Sequence, residues 1–255
     1  MKRQRYIGHG MKMYLNCAET RAWCEHVREH LPQDRRTLVF FLPQFTCLHL
    51  AKDVLGDTDV MYGGQNMCWE PRGAFTGEVS AETLVGLGCT FVELGHQERR
   101  QYFQETDAIV NKKTATALEF GLQPIVCIGE EERPSASGLA KEHLREQIAT
   151  ILHGLGPEEV VRIIFAYEPR WAIGVSEPAD PGYVAEMAAF IREVIAELTS
   201  AEAADRCHIL YGGSLSRETA SEYLALLDID GLFVGRGALN PENFVALVEL
   251  SERTE

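Results

Sequence analysis

Three residues that can do chemistry each follow a short apolar segment of the chain. Lys12 follows the first such segment, His96 the fourth and Glu168 the sixth. A carboxyl group at the end of an apolar strand is costly to desolvate, which raises its pKa toward the working range of a general base. A histidine can act as acid, base or polarising group, and a lysine can bind an anion as a point charge. The pattern predicts acid–base chemistry beside an anion-binding charge. On position alone, the alternatives are a solvated lysine, a structural histidine and a buried glutamate paired with an arginine; position favours the structural interpretation for His96 and the functional one for Glu168.

The segment after Glu168 has the composition of a lid. It begins with the stiff Pro169-Arg170-Trp171, continues with the apolar Ala172-Ile173-Gly174 and reaches Glu177-Pro178-Ala179. Because proline limits φ, motion of such a lid is expected to concentrate at its two ends.

Two glycine turns follow the seventh and eighth apolar segments. Gly212-Gly213-Ser214 and Gly235-Arg236-Gly237 have no bulky side chain at several positions, so backbone N–H groups can approach an anion. Ordinary tight turns are the alternative. The formal net charge is −14, so any phosphate must be bound by such local groups, and nucleic acid or an anionic membrane is not expected as a partner.

The seven cysteines form no CxxC pair and no Cys/His ligand pattern. They predict reduced thiols, a cytoplasmic location and no metal. Cys127 ends the fifth apolar segment without an activating partner nearby in sequence, so a buried structural thiol is favoured over a nucleophile. The first 15 residues contain no apolar segment of 7–15 residues, so no signal peptide is expected. No run of about 18 apolar residues occurs, so no membrane span is expected. No cofactor is expected.

The elements that must position these residues form a regular alternation. Eight short apolar segments predict strands at 6–8, 37–42, 60–64, 91–94, 123–128, 161–167, 207–211 and 231–234. Helical periodicity marks 139–155 and 183–198, and Asn16 with Glu19 predicts a capped helix start. Eight βα repeats in 255 residues predict an α/β fold, one (β/α)8 barrel (a TIM barrel) forming a single domain over 1–255. A doubly wound open sheet is the alternative, but its G-x-G-x-x-G marker is absent.

Several segments in a fixed order resemble the triosephosphate isomerase family over almost the whole chain. They are Lys12-Met13, Gly64-Gln65-Asn66, 73–78, Leu94-Gly95-His96 with Glu98-Arg99-Arg100, 124–130, Ala166-Tyr167-Glu168-Pro169 with 171–174, and 211–214.

The resemblance implies a role for each candidate residue. Glu168 shuttles a proton between adjacent carbons, His96 polarises the carbonyl, and Lys12 stabilises the enediolate with Glu98 behind it. Gln97 and Cys127 are expected as supporting residues. The residues expected to bind substrate and its phosphate are Gly10, Lys12, Gly174, Ser214, Gly235 and Arg236. The segment 65–78 resembles the family's dimer loop, in which Thr76 reaches the neighbouring site, so a homodimer is implied.

The chain departs from the family pattern at the site itself. The family's Asn-Trp-Lys-Met-Asn is here Gly10-Met11-Lys12-Met13-Tyr14, the serine after the histidine is Gln97, the second glycine of the last turn is Arg236, and the far lid hinge is Glu177-Pro178-Ala179. An asparagine amide at position 10 would be a donor to the reacting end, and such donors contribute about 3–4 kcal/mol to a transition state. Glycine at position 10 lacks that donor and leaves space beside the reacting end of the substrate.

This room favours a substrate one carbon longer than a triose. The favoured function is therefore isomerisation of a four-carbon ketose phosphate, L-erythrulose 1-phosphate to D-erythrulose 4-phosphate, in a branch that resembles this chain at Arg236. An ordered side chain filling the room, such as that of Tyr14 or Gln97, would count against it. Ordinary triosephosphate isomerase is the alternative and a non-catalytic phosphosugar-binding barrel a minor one. A lyase or synthase is disfavoured because no Schiff-base lysine better than Lys12 is present.

Overall fold

The computed structural model describes residues 3–133, 137–175 and 178–254. In these residues eight parallel strands close into a barrel in chain order, and the last strand pairs with the first. The strands are β1 Tyr6–Gly10, β2 Leu38–Leu42, β3 Met61–Gly64, β4 Phe91–Leu94, β5 Gln123–Ile128, β6 Ile164–Tyr167, β7 His208–Tyr211 and β8 Gly231–Val234. The predicted (β/α)8 barrel is confirmed, and the open sheet is excluded.

Helices follow the strands along the chain and cover the barrel. The described residues form α1 Cys17–His30, α2 Leu48–Leu55, α3 Ala81–Gly86, α4 Gln97–Phe103, α5 Asp107–Glu119, α6 Ser137–Leu152, α7 Pro157–Val160, α8 Pro181–Leu198, α9 Ala201–Arg206, α10 Ala220–Leu224 and α11 Pro241–Arg253, with short 3-10 helices at Phe45–Cys47, Arg170–Ala172 and Arg236–Ala238. None of the helices in the described part of the chain combines the length and apolarity needed to cross a membrane.

Local signals explain most helix boundaries. The predicted capping box at the start of α1 is confirmed, since the Asn16 side chain accepts backbone N–H groups and the Glu19 carboxylate accepts the Asn16 N–H. Helix α6 ends three residues before the predicted position, because Gly154 takes a left-handed φ of +81°. Helix α8 begins at Pro181, two residues before the predicted position 183. Asp180 is its N-cap residue, and the Asp180 side chain accepts a backbone N–H of the first turn.

Strand β6 is shorter than the sequence pattern predicts. Val161 and Arg162 extend the turn after α7, and the strand starts only at Ile164. An apolar valine beside a short helix looks the same in sequence as the start of a buried strand.

The core has two layers, one inside the barrel and one between the barrel and its helices. Inward-facing side chains fill the interior, namely Tyr6, Phe40, Leu42, Phe91, Ile125, Cys127, Ile164, Ala166, Leu210 and Phe233. The outer layer includes Trp23, which packs on Phe41 and Phe244 with ring centroids 5.0 Å apart in each pair. A filled interior leaves space for a ligand only beyond the carboxyl ends of the strands, where the loops carry the candidate residues.

Candidate active site

A pocket of about 370 Å³ opens at the carboxyl ends of the strands. Eight residues singled out in the sequence line it, namely Gly10, Lys12, His96, Glu168, Gly174, Ser214, Gly235 and Arg236. The fold therefore brings together groups that are up to 226 positions apart in sequence, between Gly10 and Arg236. Glu93 and Phe233 are among the lining residues that the sequence analysis does not predict.

Glu168 lies directly after β6 and is only 3% exposed. Its backbone N–H donates to the Ile128 carbonyl at 2.8 Å, which continues the strand pairing and fixes the direction of its side chain. A Cβ at Gly212 would lie 2.5 Å from Oε1 of Glu168, so only glycine lets β7 pass this carboxyl. Oε2 is buried and has no hydrogen-bond partner among the described residues. Burial, with the nearby Glu93 charge, holds the pKa of Glu168 well above its usual range.

His96 caps the N-terminus of α4 through its ring. Its Nδ1 accepts the backbone N–H of Glu98 at 3.1 Å, so in the neutral imidazole the hydrogen is on Nε2. Burial, together with the Lys12 ammonium, lowers the pKa of His96 to about 4. Nε2 lies 3.5 Å from Oε2 of Glu168. The site therefore presents a neutral N–H donor beside a buried carboxyl group.

Lys12 is held in a left-handed backbone conformation, with φ +49°. The Gln65 side chain donates to the Lys12 carbonyl at 2.8 Å and to the Leu42 carbonyl at 2.9 Å, which stabilises this costly conformation. The Lys12 ammonium donates to Oε1 of Glu98 at 2.7 Å. Burial by itself lowers the pKa of Lys12, but the hydrogen bond to Glu98 and the Glu168 charge raise it overall. Lys12 is therefore a fixed positive charge at the pocket.

Glu93 is a second buried carboxyl group in the pocket and is only 6% exposed. It faces inward from β4, and the Cys127 thiol donates to its Oε1 at 3.8 Å. Burial raises the pKa of Glu93 from 4.5 to about 8, although the Lys12 charge opposes this. The sequence signal for Glu93 is a charged residue inside an apolar strand, whereas the predicted site residues Lys12, His96 and Glu168 all follow a strand.

Glu93, His96 and Glu168 each place one potential metal-ligand atom within 4.8 Å of the others. Carboxylate and imidazole are ligands that several divalent cations accept. The adjacent Lys12 ammonium disfavours a cation here. The expectation that no metal takes part stays a prediction.

The opposite side of the pocket is built from the lid and the two glycine turns. The Arg236 guanidinium donates to the carbonyl of Gly174 at 2.7 Å, and the Ser214 backbone N–H donates to the Ala172 carbonyl at 2.8 Å. Lys12 and Arg236 are the cationic side chains among the described lining residues. In a chain of net charge −14, they and the glycine backbone are the local groups that can bind an anion.

Gly10 lines the pocket, but part of the room beside it is occupied by a neighbour. A Cβ at Gly10 would lie 3.2 Å from Cζ of Phe233, and the Phe233 ring is 3% exposed. Tyr14 is 53% exposed and does not line the pocket. Gln97 points away from it, with its side-chain amide donating to the Gly129 carbonyl at 3.2 Å. The room expected from Gly10 is therefore narrowed by Phe233.

Glu98 and Cys127 lie behind the pocket wall. Glu98 contacts Lys12, as described, and its side chain is 44% exposed. Burial, with the Glu168 charge, holds the pKa of Cys127 well above its usual range, so its sulfur stays a neutral thiol.

The near end of the lid is anchored by the buried side chain of Glu130, which the sequence analysis does not predict as a site residue. Glu130 accepts hydrogen bonds from Trp171 Nε1 at 2.9 Å, from the Tyr183 hydroxyl at 2.6 Å and from the Tyr167 hydroxyl at 3.2 Å. Three donors satisfy this buried group and fix the start of the lid.

The far end of the lid is anchored at Ala179. The Ala179 N–H donates to the Tyr211 hydroxyl at 3.2 Å, and the Tyr223 hydroxyl donates to the Ala179 carbonyl at 2.5 Å. Of the predicted far hinge, Pro178 and Ala179 are described, whereas Glu177 lies outside the described residues.

The segment 65–78 carries Thr76 on the outside of the molecule. Thr76 is exposed and does not line this chain's own pocket. Phe75 beside it is also exposed, as are Met13 after β1 and Phe103 at the end of α4. These residues follow the carboxyl ends of β3, β1 and β4, so they belong to the pocket end of the barrel.

Comparisons with known proteins agree with this arrangement. The family model described as "Triosephosphate isomerase" matches residues 5–251. Three proteins named "Triosephosphate isomerase" are similar to the chain. The protein of Dictyoglomus turgidum is 40% identical over 96% of this chain and 99% of its own length. The protein of Solibacter usitatus is 41% identical over 93% of this chain and 95% of its own length. The protein of Symbiobacterium thermophilum is 45% identical over 82% of this chain and 82% of its own length.

Proposed function

Because this chain belongs to the triosephosphate isomerase family and is therefore an isomerase, we propose that its preferred substrate is a four-carbon ketose phosphate. The proposed reaction converts L-erythrulose 1-phosphate to D-erythrulose 4-phosphate by moving the carbonyl between adjacent carbons through an enediolate. The proposed reaction uses no cofactor.

The proton transfer is assigned to Glu168 and His96. The ionised Glu168 carboxylate removes the proton from the carbon next to the carbonyl and returns it to the former carbonyl carbon. Its raised pKa supports this role, because a more basic carboxylate takes a carbon-bound proton more readily. The Nε2–H of His96 donates to the carbonyl oxygen while negative charge develops there.

Lys12 supplies the fixed positive charge for the enediolate and the substrate phosphate. Its ammonium is partly buried, where its attraction for an anion is screened less than in water. The phosphate is assigned to the other side of the pocket, to Gly174, Ser214, Gly235 and Arg236, which the lid and the last two turns bring together.

One observation carries the choice of substrate. The wall of the pocket has no side chain at Gly10 and has an additional carboxyl group, Glu93, beside Glu168 and His96. The proton shuttle already has its base in Glu168, so Glu93 is free to hold a further hydroxyl group. Phe233 occupies part of the room beside Gly10, which counts against a longer substrate and leaves Glu93 as the stronger support for this choice.

Isomerisation of glyceraldehyde 3-phosphate to dihydroxyacetone phosphate is the second candidate. The names of the relatives favour it, since similarity to them extends over most of the chain. A non-catalytic phosphosugar-binding barrel is the minor alternative, and the joint presence of Lys12, His96 and Glu168 in one pocket argues against it.

We further propose that the protein forms a homodimer through the segment 65–78, with Thr76 reaching the neighbouring pocket. The exposed apolar side chains at the pocket end of the barrel support this interface. Seven free thiols, six of them buried, are compatible with the reducing cytoplasm.

The test is a side-by-side measurement of kcat/KM for L-erythrulose 1-phosphate and glyceraldehyde 3-phosphate on one preparation. The matched control is Glu168→Gln, which keeps the shape of the side chain and removes the base. A higher value for the four-carbon substrate supports the proposal. A triose value near the diffusional ceiling of about 10⁸–10⁹ M⁻¹s⁻¹ makes the protein an ordinary triosephosphate isomerase. Binding of both compounds without turnover supports the non-catalytic barrel.

A further inference from the structure

Glu93 is a buried carboxyl group that the proposed proton shuttle does not use. Its one hydrogen-bond partner among the described residues is the Cys127 thiol, a weak donor. On the side of the barrel interior its neighbours are apolar, with Phe91 on its own strand and Ile125 on β5, whereas His96 and Glu168 lie on the side of the pocket. An apolar side chain of similar length would fill this position without the cost of burying a carboxyl group. A polar group kept at such a cost in a pocket is typical of a functional site.

The protonation state of Glu93 follows from its neighbour. A carboxyl oxygen of Glu93 lies within 4.8 Å of a carboxyl oxygen of Glu168. Two buried carboxyl groups at this distance do not both ionise readily, because their negative charges repel. The raised pKa values of both residues have burial as their main cause. In the reactive form of the site Glu168 is ionised to remove a proton from carbon, so in that form the proton of the pair resides on Glu93.

A neutral carboxyl group both donates and accepts a hydrogen bond, as a hydroxyl group does. Lys12 and Arg236 only donate, and His96 donates to the carbonyl oxygen. Ser214 can do both, but it belongs to the glycine-turn side of the pocket. Among the described lining side chains, Glu93 is therefore the partner left for a substrate hydroxyl near the reacting carbons.

We propose that Glu93 binds, as a neutral acid, the hydroxyl group on the carbon that distinguishes a four-carbon ketose phosphate from a triose phosphate, and so determines substrate choice. This inference rests on the proposed function. Glu93 moves no proton to or from carbon in this role, so its contribution appears in the discrimination between substrates.

Two substitutions of similar size test it. Glu93→Gln keeps a donor and an acceptor, whereas Glu93→Met keeps the length and removes both. We expect Glu93→Met to lower kcat/KM for L-erythrulose 1-phosphate by about 10- to 100-fold, the effect of leaving one buried hydrogen-bonding group unpaired. The value for glyceraldehyde 3-phosphate should change by a similar factor in both variants, because each removes the Glu93 carboxyl group beside Glu168. Glu93→Gln should retain most four-carbon activity.

Thermal denaturation and a pH profile separate this role from a structural one. Glu93→Met should melt at a higher temperature than the wild type, because a desolvated carboxyl group has been removed. In the wild type, ionisation of Glu93 should lower four-carbon kcat/KM as pH rises through about 8. Glu93→Gln should lack this alkaline limb.

Three results would overturn the inference. An equal loss for both substrates in Glu93→Met means that Glu93 does not discriminate between them. A lower melting temperature with loss of both activities means that it is structural. Wild-type turnover of the triose alone removes the proposed function and this inference with it, and this outcome is distinguishable because it is seen before any substitution is made.

Discussion

The packing of Phe233 against Gly10 allows a sharp prediction about substrate choice. Replacing Gly10 by asparagine restores the amide of the family motif, but its Cβ would lie 3.2 Å from the Phe233 ring. The ring has little freedom to retreat, because it stacks on Phe40 at 5.7 Å and Phe40 contacts Phe91 at 4.7 Å. Overpacking of this kind costs about 1–3 kcal/mol, so we expect Gly10→Asn to lose that much stability.

Phe233→Leu should remove the obstacle. Leucine lacks the distal ring atom that meets the new Cβ, so in the double variant the asparagine can adopt a relaxed rotamer. We expect the two changes to couple by about 0.5–3 kcal/mol, with the double variant more stable than the sum of the single effects predicts. An amide donor at the reacting end contributes up to about 10²–10³-fold to kcat. The double variant should therefore gain triose activity and lose four-carbon activity, because the amide takes the room of the additional carbon.

The assay is a double-mutant cycle over wild type, both single variants and the double variant. The free energy of unfolding in urea and kcat/KM for both sugar phosphates are measured for each protein. Gly10→Ala is the matched control, since it adds the Cβ without an amide and should lose stability without gaining triose activity. Additive stability effects would refute the packing argument. A stable double variant with no gain on the triose would refute the idea that Gly10 sets the substrate preference.

Four further predictions follow from particular groups. Burial raises the pKa of Glu93 from 4.5 to about 8, so between these pH values the folded state holds a proton that the unfolded state releases. The contribution of this residue to stability is therefore complete below pH 4.5 and is lost as pH rises through about 8. The free energy of unfolding in urea, measured at pH 4.5 and pH 8, should fall less in Glu93→Gln than in the wild type. Lys113 donates to Oε1 of buried Glu105 and, at 2.7 Å, to Asn66, whereas Arg99 donates to Oε2 of Glu105 at 2.9 Å. Lys113→Met should therefore cost about 1–3 kcal/mol, because it leaves one buried carboxylate oxygen and the Asn66 oxygen without a donor while Arg99 still pairs the other; Lys113→Met with Glu105→Gln should recover part of it, and a loss as small as that of a surface substitution would contradict the argument. Dialysis against EDTA should leave kcat/KM unchanged, whereas a loss restored by Mn²⁺ or Zn²⁺ would show that the pocket carboxyl groups bind a metal. Thr76→Arg should shift the sedimentation coefficient from that of a dimer to that of a monomer, and an unchanged value would rule out this segment as the interface.

Most of the barrel could be predicted from the sequence because its signals are local. Each buried parallel strand is a short, mainly apolar run, and several helix starts have a capping side chain, such as Asn16 or Asp180. Residues that follow strands could also be placed, because the topology of a parallel barrel brings all carboxyl ends to one side. Lys12, His96 and Glu168 were found in this way.

Which side chains of a strand point into the barrel and which point toward the helices could not be predicted in the same way. A strand buried on both sides has no alternation of polar and apolar residues, so the sequence does not show which side chains point into the barrel. Glu93 and Phe233 both lie inside such strands. Their places beside Glu168 and Gly10 depend on pairing between distant parts of the chain, which no local pattern reports.

The distribution of unusual groups in the pocket is itself an argument about function. Lys12, His96 and Glu168 are the residues to which we assign proton transfer next to a carbonyl. Lys12 is positively charged, His96 is neutral, and the raised pKa of Glu168 makes its ionised form a stronger base. The features that this reaction does not require, Gly10 and Glu93, lie on the wall that carries these three residues. A barrel that only bound its ligand would not need Lys12 in a strained conformation, or Glu168 Oε2 buried without a hydrogen bond from any of the described residues. Retained chemistry beside altered walls is the pattern expected when an isomerase keeps its reaction and changes the sugar phosphate on which it acts.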